Sequence, residues 1–134
     1  MTDAETLLYG SKAYIEHFNR MEYSEQFQRC RSACSPVFSA LTEQSAAALA
    51  EELIELTESR MPRGKFRRRL AVSDMQQFFL LYTVPAALAE ETEAAALFAE
   101  LLCARWNAEH PDFPFRQTTF DALSDGFRDR PFSL

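Results

Sequence analysis

The chain has 134 residues, 47% of them hydrophobic and 25% charged, and a net charge of −6. This length sets a single domain over residues 1–134 as the expectation, with room for a core that needs no disulfide or structural metal. The acidic balance weighs against general affinity for nucleic acid, and three cysteines, an odd number, fit a reducing compartment better than a disulfide framework.

Glycine occurs only three times, while alanine, leucine and glutamate abound. That bias favours helix, because those side chains lose little freedom in it and glycine loses most. Twelve phenylalanines supply large apolar area for a compact bundle. The N-terminus, Met1–Glu5, is acidic where a secretory leader would be basic and then apolar. The charge-free run Met75–Ala89 is 15 residues long, short of the roughly 20 that span a bilayer. A soluble, cytoplasmic protein is the default expectation.

In chain order, Thr2 or Asp3 caps a first helix to about Arg20, with Leu7, Tyr14, Phe18 and Met21 on one face. Gly10 weakens it or marks a close crossing. Ser24 caps a second helix carrying Phe27, Cys30 and Cys34. Ser35-Pro36 is expected to interrupt it, giving a helix to about Ala33 and then a turn or a second short helix to Ala40, because proline lacks the N–H and restrains the residue before it. Thr42 opens the clearest helix, Glu43 to Arg60, striped by Ala46, Leu49, Leu53 and Leu56 with glutamates opposite. Met61-Pro62-Arg63-Gly64 is a short connection and predicts an antiparallel neighbour.

That neighbour is the central helix, about 65–89, kinked or broken at Pro85. Two starts are open: Lys65, or Asp74 with Ser73 heading a capping box. Its second half is apolar nearly all round and should be enclosed on all sides. Glu90 or Thr92 begins a further helix to about Glu109. His110–Phe115 is a loop, Thr118 or Thr119 caps a last short helix through Leu123, and Phe127, Pro131 and Phe132 dock the tail. No internal repeat and no convincing strand is evident. The predicted fold is an all-α, single-domain bundle of five to seven helices around this central helix.

Charge is the one anomaly. Residues 60–69 hold Arg60, Arg63, Lys65, Arg67, Arg68 and Arg69 and no acid, a local +6 against −12 for the remainder. Cations at a helix start oppose its dipole. Arg63, Lys65, Arg67, Arg68 and Arg69 are therefore the anion-binding candidates, for a phosphate, a nucleic-acid backbone or an acidic partner. The bland alternative is favoured: a solvated ion-pair face, with Glu55 and Glu58 returning beside Arg67, Arg68 and Arg69.

Other residues invite less. Cys30 and Cys34 share a helix face, and Cys103, His17 or His110 could complete a metal set, but no standard ligand pattern is present and buried core cysteines are the simpler reading. His17 and His110 lie in no nucleophile motif. Glu90, Glu91 and Glu93 suit a first helical turn without chemistry. Gln76 and Gln77 bond across the bundle or cap. No catalytic motif, metal site or cofactor is read. The expected function is a non-enzymatic protein-binding or regulatory domain, with a protein partner or self-association. Polyanion binding through residues 60–69 is the alternative, and a small helical enzyme with Gln77, Tyr82 and a histidine in a pocket at Pro85 is the third reading.

Overall fold

The computed structural model describes residues 2–8 and 23–114. The remainder of the predicted first helix with Gly10 and His17, the predicted last helix from Thr118 or Thr119, and the tail with Phe127 and Phe132 lie outside the described residues. The architecture is all-α, with no strand among the described residues: α1 over 3–8, α2 Tyr23–Ser39, α3 Glu43–Ser59, α4 Lys65–Phe78, a π-helical turn Phe79–Thr83, α5 Val84–Ala89 and α6 Glu93–Glu109. No helix among them is long and apolar enough to cross a membrane.

Local chemistry sets the helix starts. Thr2 caps α1, its hydroxyl accepting from the Glu5 N–H at 3.2 Å. Thr42 and Ser45 form a reciprocal capping box at α3, and the Thr92 hydroxyl accepts from the Ala95 N–H at 3.1 Å at α6. Gly64 precedes α4 at φ 115, a conformation that favours glycine. The start at Lys65 is thus the one taken, and Ser73 lies mid-helix.

Two prolines are absorbed rather than obeyed. Pro36 lies inside α2, which continues to Ser39, so the predicted end near Ala33 is wrong. Pro36 itself is exposed, while Cys34, Val37 and Phe38 on either side are buried. Burial of one more helical turn outweighs the lost hydrogen bond, a cost of about 3 kcal/mol in a helix interior. At Pro85 the irregularity takes the form of the π turn just before it. The Val84 N–H reaches the Phe79 carbonyl five residues back. The widened turn relieves the clash that a proline ring makes with the carbonyl four residues earlier. The chain therefore stays helical from Lys65 to Ala89.

The core is shared by all these helices. Phe27, Phe38, Leu53, Ile54, Phe79, Phe98 and Trp106 are fully buried, with Leu7 of α1 among them. Phe79 meets Trp106 edge-on at 5.4 Å, and Phe38 meets Phe98 at 5.5 Å. Polar ties cross between helices: Arg31 Nη2 donates to the Ala89 carbonyl at 3.1 Å at the end of α5, and Gln76 donates across to the carbonyls of Phe113 and Pro114. The enclosed half of the central helix is as expected: Phe78 and Tyr82 are buried, and Leu81 is half-buried.

The main helix pairing was not foreseen. α3 packs along α6, whereas α4 makes little contact with α3. Arg105 reaches Glu51 and Glu55, and His110 reaches Glu58, so α3 and α6 run in the same direction. The short 60–64 connection therefore joins α3 to α4 without laying them side by side. The landmarks of α5–α6 also lie 50 residues after those of α2–α3: Ala89 after Ser39, Thr92 after Thr42, Glu109 after Ser59.

Candidate functional site

Length decides where the basic residues go. The helical path Lys65–Ala89 rises roughly 37 Å, while the 17-residue α6, joined to its far end by a short link, rises roughly 25 Å. Among the described elements α4 packs chiefly on the π turn that follows it, and its first turns have no neighbouring helix. Every residue from Pro62 to Leu70 is exposed. Phe66 is 76% exposed and Leu70 55%, the two large apolar side chains that stand out in solvent among the described residues. They lie four residues apart, on one helix face.

Around them stand Arg63, Lys65, Arg67, Arg68 and Arg69. Among the described residues none of the five forms an ion pair, and Arg68 alone is close enough to Glu58 to lower its pKa. The expected match of Arg67, Arg68 and Arg69 with Glu55 and Glu58 is not made. Glu55 pairs with Arg105 at 3.6 Å instead, because α3 lies against α6. The charges that motivated the anion hypothesis are exposed, and the internal pairing that would have explained them away is missing.

At the base of this arm lies a second group, formed where α3 and α6 end together. His110 is only 8% exposed and caps α6, its N–H donating to the Trp106 carbonyl at 2.8 Å. Its ring stacks on the Trp106 indole at 3.9 Å and its Nε2 lies 3.5 Å from Glu58 Oε1. Glu109 accepts from Arg105 Nε at 3.0 Å and shares a hydrogen bond with Glu58. Burial, with the hydrogen bond and charge of Glu109 added, pushes the Glu58 carboxyl up to about 7; Arg105 and Arg68 pull the other way. Glu109 is held below the usual carboxylate range by its bond to Glu58 and by Arg105. Two carboxylates so close disfavour each other's ionisation, so the pair holds its last proton more tightly than a lone carboxyl would.

The other predicted candidates do not converge. Cys30 and Cys34 are buried in the core, and burial pushes the Cys103 thiol up to about 12, which makes it unreactive. Gln77 is exposed while Tyr82 and Pro85 are buried. Gln76 bonds across the molecule, as one reading of it expected. The Glu58–Glu109–His110 group was missed altogether. Glu58 and His110 are 52 positions apart, and the available signals were only an acid near each helix end and a histidine beside a tryptophan turn. Compared with protein-family models, curated proteins and solved structures, the chain matches none.

Proposed function

We propose that the protein is a non-enzymatic helical protein-binding domain whose docking element is the first half of α4. The supporting observation is the exposure of Phe66 and Leu70 on one face of a helix rimmed by five cations. Leaving a large apolar side chain in water forgoes about 1.5–3 kcal/mol of burial. A partner that buries both recovers that energy in the manner of a helix laid into an apolar groove. The cations define the groove's rim as acidic. A nucleic-acid backbone would engage the cations but leave Phe66 and Leu70 without a task, so a protein fits the face better.

The test replaces Phe66 with p-benzoylphenylalanine and crosslinks in the cell that makes the protein. The expected result is a discrete protein adduct, mapped to an acid-rimmed apolar surface, and lost when Arg67, Arg68 and Arg69 are changed to glutamate. A crosslinked dimer would identify the partner as a second copy. An adduct to nucleic acid would move the assignment to polyanion binding, where affinity falls steeply with salt. No adduct at all would refute a docking role.

A further inference from the structure

The shared end of α3 and α6 gathers several carboxylates among the described residues. Both helices present their C-terminal dipole ends there. Glu51, Glu55, Glu58 and Glu109 line the same side, against Arg105 and, at longer range, Arg68. Into this group points His110. Its Nδ1 lies 3.2 Å from the Trp106 carbonyl. A carbonyl oxygen only accepts, so Nδ1 is the nitrogen that donates there, and Nε2, 3.5 Å from Glu58 Oε1, is the ring nitrogen placed to ligate. One donor atom each from Glu58, Glu109 and His110 lies within 4.8 Å of the others.

We infer that Glu58, Glu109 and His110 form a binding site for a divalent first-row transition ion, zinc being the best fit. Tetrahedral zinc at about 2.0–2.1 Å from its ligands separates neighbouring donors by roughly 3.3 Å. The 3.5 Å between His110 Nε2 and Glu58 Oε1 is close to that edge. Glu109 is exposed and closes the third position by a side-chain rotation. A fourth position stays open to water. The imidazole selects against calcium and magnesium, which take oxygen ligands.

The surroundings are those of a metal site's outer shell. The Trp106 carbonyl fixes the tautomer of His110, the stacked indole fixes its plane, and Arg105 orients Glu109. This reading is independent of the docking arm.

The test uses the full chain, stripped with chelator and titrated with zinc chloride against a competing indicator. One ion per chain is expected, with affinity reduced about tenfold or more in each of Glu58→Gln, Glu109→Gln and His110→Gln. Glu58→Gln and Glu109→Gln keep side-chain size, and circular dichroism checks that they remain folded. Cobalt substitution should give the intense visible bands of a four-coordinate site without a thiolate charge-transfer band. Absence of zinc uptake would overturn the inference. So would uptake unchanged by Glu58→Gln and Glu109→Gln, or a thiolate band that assigns the ion to the cysteines.

Discussion

One continuous helix, Lys65 to Ala89, contains two regions with opposite environments. From Phe78 to Ala87 most side chains are buried, and the π turn, Pro85 and Phe79 are held from several sides by α2 and α6. From Lys65 to Leu70 every side chain is in water, including Phe66 and Leu70. Helical backbone is common to both. What differs is whether neighbours exist along that length among the described residues. The comparison teaches that helix formation and stabilisation by burial are separable here: the first half is helical because it is continuous with the second.

The largest effect should come from the buried half. Phe79→Ala removes a fully buried ring in edge contact with Trp106, and urea unfolding should register a loss of about 3–5 kcal/mol. Phe66→Ala should register almost none. A similar loss at both positions would erase the distinction.

A smaller loss is expected where the arm meets the body. Gln76→Ala removes the donor to the Phe113 and Pro114 carbonyls and should cost about 1–2 kcal/mol by the same measurement. Trp106 Nε1 still donates to the Phe113 carbonyl at 2.9 Å, which limits the damage.

Thr83→Val should go the other way. Thr83 is fully buried in the π turn, and its Oγ1 has no hydrogen-bond partner. Exchanging that hydroxyl for a methyl group of similar shape removes an uncompensated desolvation, so stability should rise by about 1 kcal/mol. A fall would mean that the hydroxyl is satisfied.

A further effect is in pH, measured without metal. The Glu58 pKa is raised in the folded protein from 4.5 to about 7. Folding therefore favours its proton, and that contribution is complete below about 4.5 and is lost as pH rises through about 7. Glu109 is shifted down, so its own contribution is lost only as pH falls below the ordinary carboxylate range. Between these limits the unfolding midpoint should decline from pH 5 to pH 8, and Glu58→Gln should flatten that decline. A midpoint that climbs over this range would contradict the shared proton.

What could be read from the chain alone followed the range of the interactions. Thr42 and Thr92 were legible as helix caps because a hydroxyl and an N–H three residues away settle the matter locally. The apolar run 78–84 was legible as core because nothing charged interrupts it. Pro36 was misread because its local veto is outweighed by Phe38 and Val37 packing on distant helices. The pairing of α3 with α6 was invisible for a similar reason. A short connection argues for the next helix as neighbour, yet the choice was made by apolar faces separated by the whole of α4 and α5. With it went the true partner of Glu55 and the meeting of Glu58, Glu109 and His110. The exposure of residues 65–70 follows from a mismatch in helix lengths, which no local pattern encodes.

The account rests most heavily on the first turns of α4 standing apart from the body. The direct test is equilibrium urea unfolding of the Phe66→Asp, Leu70→Asp double variant beside the parent chain. Because both side chains already face water, the two unfolding free energies should agree within about 0.5 kcal/mol, the scatter of surface substitutions. A loss of about 2 kcal/mol or more would show that Phe66 and Leu70 are packed against the body, and the arm would then be part of the fold and not a docking element.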